Sequence, residues 1–584
     1  MNNTINFSLI ALNSKFIHSN LAVRYIRSYL NKKGIDANIL EFSINDSFDK
    51  IIKHIYLSNS KVLAFSCYIW NREFIMKLGP SLKKIMPDSI IVLGGPEVSY
   101  DVESTMKGNP WIDYIIFGEG EETFYQFASH LLDKDKDIKN IDGLAYNSNG
   151  MVYVNNTRSP LANLDEIPFP YDNFNDLKNK IIYYETSRGC PFTCQYCLSS
   201  IEPGVRYFSL DRVYRDIDIF INNNVKQVKL VDRTFNCNKK RSVEIMEYIL
   251  SKNGSTNFHF EISAKLIDSD FLNTVKKAPK GIFQFEIGVQ STNEDTLETI
   301  TRNESFKEIR DNINKIIDLG NCHIHLDLIA GLPYEDIKSF EKSFNDVYSL
   351  KPQMLQLGFL KLLRGSKLRI DAEKHGILYN QHPPYEVLST KWLSYDDVLD
   401  LKVIEELVEI FNNSSRFTRS LDYLMKEHYN NPFVFFKELG CFYLENHAFD
   451  MPLKVSEHYE LLYKFVSQKT EVTPLFNELI KFDFFKSTGN NMPSCIKRYD
   501  HSKIKNSVNN FLKNEEIINN YMPELKSMDL RQKLKYIRFE VFDVDIIDSM
   551  QEGKHIVFNI KDPTENVGNR FLSFDIDEFL KLSI

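Results

Sequence analysis

The sequence predicts an α/β protein in three parts: a doubly wound parallel sheet, a partial (β/α)6 barrel, and a mainly helical C-terminal module. Two observations carry this. Apolar runs alternate with amphipathic stretches in two separate series, divided by an irregular interval. Beyond about residue 373 the alternation stops and a helical, aromatic-rich pattern replaces it. In the first series, residues 6–12 (NFSLIAL), Asn38–Ser43, Val62–Trp70, Ile90–Leu93 and Tyr114–Phe117 are strand-like. Between them lie helical stretches such as Ser19–Asn31, with Leu21, Tyr25, Ile26 and Tyr29 on one face. Residues 1–135 therefore form the first domain. In 136–178, Asn149-Gly150 between Tyr146 and Val152–Val154 predicts a hairpin, and the prolines of Ile167–Tyr171 an ordered linker.

The second series occupies 179–372, with strands at Ile181–Thr186, Gln227–Val231, His259–Ser263, Phe283–Gly288, His323–Ile329 and Met354–Phe359. Residues 373–584 are predicted helical, with strands possible only at Tyr536–Ile547 and His555–Ile560. A chain of 584 residues exceeds a single core, and 43% hydrophobic with 26% charged residues describes a folded soluble protein. No apolar run of about 18 residues predicts a spanning helix. The first residues lack the basic-then-apolar pattern of a secretory signal, so the expected location is cytoplasmic. A net charge of −8 supplies no general attraction to nucleic acid or anionic membrane. The stretch Lys486–Lys513 carries six Lys/Arg and one Asp, but no base-stacking module surrounds it.

Of the eight cysteines, Cys67, Cys237, Cys322, Cys441 and Cys495 are isolated, whereas Cys190, Cys194 and Cys197 fall in one segment, RGCPFTCQYC, after the first strand of the second series. Scattered cysteines without a secretory signal are mostly buried fillers. Three thiolates spaced CxxxCxxC can wrap one [4Fe–4S] cube and leave its fourth iron without a protein ligand. Zinc is the competing reading, but a structural zinc site wants four closed ligands, and nothing in the sequence brings His259 or His323 close.

At this motif the chain resembles the radical S-adenosylmethionine (SAM) superfamily. The resemblance implies that the open iron chelates SAM and that Tyr196 borders its adenine. Phe285–Ser291, containing Glu286, looks like the fourth strand of that family's barrel, and Asp327–Pro333, containing Gly331, like the fifth strand and its turn. Val231-Asp232-Arg233-Thr234-Phe235 stands where the family has Gly-Gly-Glu, so Asp232 is the expected partner of the SAM amino group. Other readings remain: Glu286 as a paired barrel acid, and Gly331 as a turn glycine.

In the first domain, Gly94-Gly95-Pro96-Glu97 and Gly118-Glu119-Gly120-Glu121 follow strands, where glycine lets a flat ligand approach the backbone. Beside the cysteine motif, these segments resemble the Rossmann-like cobalamin-binding domain of B12-dependent radical SAM proteins. Phe65–Asn71 and Asn13–His18 fit the same subfamily. The resemblance implies a cobalamin pocket lined by Ser66, Gly94, Gly95, Gly118, Glu119 and Gly120, with His18 near its mouth. None of the thirteen histidines lies in Asp-x-His-x-x-Gly, so the cobalamin is expected base-off and without a histidine ligand from the protein. The opposing reading is a Rossmann-like domain kept as scaffold. Pro383–Ser389, Asn431–Phe436 and Gln356–Lys361 resemble a branch with a DUF4080-type C-terminal domain.

Together these resemblances imply an enzyme that generates a 5′-deoxyadenosyl radical from SAM and methylates an unactivated carbon with cobalamin as methyl donor. The implied partners are a small-molecule or peptide substrate and an electron donor such as flavodoxin or ferredoxin, with neither nucleic acid nor membrane. Two alternatives stay open: a B12-dependent rearrangement or cyclisation without methyl transfer, and a non-catalytic cobalamin sensor or carrier. Protein reconstituted anaerobically should hold about one [4Fe–4S] cluster. Combined Cys190→Ala, Cys194→Ala and Cys197→Ala should abolish it, whereas Ser or Ala at the other five cysteines should leave it. Iron and sulfide analysis decides; full iron in the triple variant would refute the assignment.

Overall fold

A computed structural model describes residues 5–133, 137–201, 204–302, 304–487, 491–561 and 569–583. The 135/136 boundary expected from the sequence lies outside the described residues. The chain falls into two compact units, Met1–Leu399 and Asp400–Ile584.

The first unit contains both strand series. Strands β1 (Phe7–Asn13), β2 (Ala37–Ser43), β3 (Val62–Ser66), β4 (Ile90–Gly94) and β5 (Tyr114–Ile116) pair in parallel in the order β2-β1-β3-β4-β5. All seven residues of β1 are buried, the pattern of a strand covered on both faces. The helix after it, Leu21–Lys32, starts where Asn20 accepts a hydrogen bond from the Val23 N–H at 3.1 Å. The hairpin expected near Asn149-Gly150 is present as β6 (Leu144–Ser148) and β7 (Met151–Val154). Instead of standing in a separate linker, it extends the first sheet, β6 pairing antiparallel with β5 at Tyr114 and Tyr146. The third strand, expected to reach Trp70, ends at Ser66. Asn71 turns the chain there: its carbonyl accepts from the Tyr68 N–H at 2.8 Å, and its amide donates to Ser66 O at 2.9 Å and Leu12 O at 3.0 Å.

The second series gives β8 (Ile182–Tyr184), then the antiparallel pair β9 (Ser187–Cys190) and β10 (Gly204–Tyr207). It continues with β11 (Gln227–Leu230), β12 (Asn257–Glu261), β13 (Phe283–Gln290), β14 (His323–Ala330) and β15 (Met354–Phe359). Apart from β9 and β10, these six strands pair in parallel in the order β15-β14-β13-β12-β11-β8, the expected partial barrel. Sequential order puts a helix outside each crossover and leaves every strand's carboxyl end at one rim. The open end of the barrel meets the first domain: the Ile181 N–H donates to Ile17 O at 2.7 Å, and Ser19 Oγ to Ile181 O at 2.9 Å.

The second unit is mainly helical, as expected, and closes with three antiparallel strands, Ile537–Val544, Glu552–Ile560 and Arg570–Asp575. Part of the basic stretch Lys486–Lys513 is used internally: Arg498 and His501 both pair with buried Glu540, at 3.0 and 2.9 Å. Residues 488–490 of that stretch lie outside the described residues. Among the described residues no helix is long and apolar enough to cross a membrane.

Candidate active site

The three clustered cysteines line one cavity of about 430 Å³ at the barrel rim. Local backbone constraints put them there. Gly189 has φ +98° and packs on β10 so closely that a Cβ would meet Gly204 O at 2.1 Å, so the residue before Cys190 has to be glycine. The Cys197 N–H donates to Cys194 O at 3.1 Å and closes a tight turn. The loop is pinned further by Gln195 N–H to Ile300 O at 3.1 Å and Leu368 N–H to Gln195 O at 2.9 Å. All three thiols are free, and no fourth cysteine lines the cavity among the described residues. Cys237 instead meets the Tyr207 hydroxyl at 3.3 Å. Three convergent thiols without a fourth fit a [4Fe–4S] cluster with one open iron better than closed tetrahedral zinc.

Of the residues expected around SAM, Tyr196 and Glu286 line this cavity. The Tyr196 hydroxyl accepts from Arg302 at 3.1 Å, and Arg302 also donates to Gly288 O and pairs with Glu304 at 3.2 Å. Glu286 has Lys229 Nζ and His259 Nε2 each at 2.8 Å from Oε2. Burial opposes ionisation, but the His259 hydrogen bond and the Lys229 charge outweigh it and hold the Glu286 carboxyl at about 2. Both contacts fall on Oε2, so Oε1 keeps its acceptor capacity for a ligand.

Asp232 and Gly331 stand elsewhere. Asp232 is 1% exposed, and its oxygens accept from the Thr186 N–H at 2.8 Å, Thr186 Oγ1 at 2.7 Å and Ser187 Oγ at 2.5 Å. It fastens the segment leading into Cys190 from behind, and its neighbour Thr234 reaches the cavity instead, 3.6 Å from Cys190 Sγ. Gly331, at φ +88°, is a packed turn where a Cβ would meet Val387 at 2.7 Å. Sequence reasoning weighed His259 only as a zinc ligand and did not single out Lys229, His325, Asp327 or Arg302. A signal existed for two pairs, because His259/Glu261 and His325/Asp327 put polar groups two residues apart in otherwise apolar strands, hence on one face.

A second cavity, about 1050 Å³, opens at the strand ends of the first sheet. Ser66, Gly94, Gly95, Gly118, Glu119, Gly120 and His18 all line it. They differ in what they offer. Gly95, at φ +106°, is needed by the chain itself, since a Cβ would meet Cys67 O at 2.6 Å. At Gly94 the nearest atom to a Cβ is Ile116 O at 3.5 Å, ordinary contact. Glu119 is a junction: it takes Arg206 at 2.6 Å, Arg188 at 3.2 Å and the Leu161 N–H at 2.8 Å. His18 Nδ1 is 2.7 Å from the Tyr183 hydroxyl. The opposite wall comes from the barrel, and Arg233 and Glu261 line both cavities.

Comparison with known proteins agrees with this division. Residues 8–128 match the B12 binding domain, 184–347 the radical SAM superfamily, and 373–559 a protein family of unknown function, DUF4080. An uncharacterized methyltransferase of Pyrococcus horikoshii is 28% identical over 400 residues, covering 65% of this chain and 83% of its own. The cobalamin-dependent radical SAM methyltransferase TokK of Streptomyces tokunonensis is 27% identical over 306 residues, 48% of this chain and 43% of its own, so the match spans under half of that relative. Among solved structures, the cobalamin-dependent SAM radical enzyme OxsB, with aqua-cobalamin and SAM bound, shares the fold at TM-score 0.59 and 14% identity, covering 82% of this chain and 79% of its own.

Asp232→Asn should destabilise the protein by about 2–4 kcal/mol, because buried donors lose a charged acceptor. SAM affinity of the folded fraction should change less than threefold. Urea midpoints and equilibrium dialysis with labelled SAM measure the two effects; a tenfold loss of SAM binding in folded protein would put Asp232 in the SAM site.

Proposed function

Because the chain is a radical SAM enzyme carrying a B12-binding domain, we propose that it is a cobalamin-dependent methyltransferase acting on an unactivated carbon of a small-molecule or peptide substrate. The observation that carries this is the shared wall: the cysteine cavity and the strand-end cavity meet at Arg233 and Glu261. A substrate lying there would face both cofactors at once. When bound, the cluster would supply the electron that splits SAM, and cobalamin the methyl group.

The chain's own groups divide the remaining work. Cys190, Cys194 and Cys197 would hold the cluster, three thiolates leaving one iron for the SAM amino and carboxylate groups. Thr234, beside Cys190, is placed to take the amino group in place of Asp232. Glu286 offers an ionised acceptor to the hydroxyls of SAM, and Tyr196, braced by Arg302, borders the adenine. In the second cavity Gly94, Gly95, Gly118 and Gly120 admit a flat macrocycle close to the backbone, beside Ser66 and Glu119. His18, which lines this cavity, is tied to the Tyr183 hydroxyl through Nδ1, and a bound cobalamin would be base-off without a protein histidine. With ligands filling both cavities, the barrel and first domain would screen the gap between them from water. A flavodoxin or ferredoxin in the cytoplasm supplies the electron.

With a strong reductant the protein should turn SAM into 5′-deoxyadenosine, and methyl-labelled SAM should mark a metabolite or peptide in an extract of a deletion strain. SAM cleavage without any transfer of label would favour rearrangement or cyclisation. Gly94→Leu should abolish cobalamin retention while the iron and sulfide content stays at the wild-type level. Electron paramagnetic resonance of the Co(II) form should lack nitrogen superhyperfine splitting. A triplet would mean a histidine or the benzimidazole binds cobalt; no cobalamin in the wild type would leave the first domain as scaffold.

A further inference from the structure

We propose that Arg233 and Glu261 form the substrate anchor, and that the group they hold is a free α-amino-carboxylate, with the carboxylate on Arg233 and the ammonium on Glu261. The inference rests on the two-cofactor reading above and adds the chemical class of the substrate. Both side chains line the two cavities, so whatever they bind lies between the cofactors. Among the described residues neither has a hydrogen bond or an ion pair to its side chain. Their neighbours behave differently: Arg188, Arg206, Lys229 and Arg302 each have a carboxylate oxygen within 3.2 Å.

An unpaired charge is tolerable only while water reaches it. Once ligands fill the cavities, Arg233 and Glu261 lose that water and need partners of opposite charge. They do not satisfy each other, since no nitrogen–oxygen pair within 4 Å joins their side chains, yet Arg233 is near enough to act on Glu261 electrostatically. A cation and a carboxyl held apart on one wall complement a ligand whose own opposite charges sit side by side. Burial, then Glu286 and to a smaller extent Asp327, raise the Glu261 carboxyl to about 7 against the opposing charges of Lys229 and Arg233. An ammonium partner would favour its ionised form, so binding should strengthen as pH rises through 7.

SAM carries the same group, which sets the decisive control. The test uses protein already shown to hold its cluster and cobalamin, so failure of either loading counts against the two-cofactor reading and not against the anchor. The probes are the common L-amino acids with their N-acetyl and carboxamide derivatives, screened by saturation-transfer NMR with SAM present. At least one free amino acid should bind, with both blocked forms at least tenfold weaker. Arg233→Gln should weaken the hit at least tenfold and Arg233→Lys should restore part of it. Glu261→Gln should weaken it and flatten the rise in affinity between pH 6 and 8. SAM dissociation constants should stay within threefold in all three variants. Absence of any amino-acid binding in the wild type, binding indifferent to Arg233→Gln, or SAM affinity falling in parallel would each overturn the proposal.

Discussion

Arg188 holds the two halves of the first unit in register. It lies two residues before Cys190, and its guanidinium reaches Glu121 at 2.6 Å, Glu185 at 2.8 Å and Glu119 at 3.2 Å. Glu119 and Glu121 follow β5 of the first sheet, and Glu185 follows β8 of the barrel, so one side chain spans both. Burial works against its charge, but Glu121 and Glu185 more than compensate and push its pKa upward. Arg206 adds a second cation to Glu119. Such a network contributes little net stability against an apolar alternative, yet losing one partner from it costs roughly 3–5 kcal/mol. Its value is positional: the loop that presents the cysteines cannot shift without disturbing the loop that lines the larger cavity.

The open barrel explains why that coupling matters. Six strands in sequential order leave β8 as an edge, and the first domain docks beside it through Ile17, Ser19 and Ile181. Several parallel strands of both sheets end in or just before glycines, hydroxyls or charges, Ser66, Gly94 and Glu261 among them, where crossovers free the backbone to meet ligands. The two cavities then become neighbours by architecture. Behind the barrel rim, Asp232 ties β11 to the segment entering the cysteine loop, while Lys229, His259 and Glu286 form a compensated cluster in the lumen. Rigid support from behind and ionised acceptors in front are what a reactive site needs if it is to hold ligands without reorganising.

Much of this was legible in the sequence. Alternation of apolar and amphipathic segments is a local property, so the strands of each series and the helical C-terminal region followed from periodicity. The CxxxCxxC spacing is also local, since it keeps three thiols within eight residues of one loop. Strand-end glycines likewise pointed to the larger cavity. Tertiary structure decided which residues of a segment face a cavity. Asp232 turned inward because Thr186 and Ser187, distant in sequence, supply the donors that its charge needs once buried. Gly331 went to packing against Val387, and Gly95 to clearance from Cys67. The pairing of Arg233 and Glu261 on one wall was invisible for the same reason: β11 and β12 bring them there only when the barrel forms, and their lack of side-chain partners among the described residues is a property of three-dimensional surroundings that no spacing encodes.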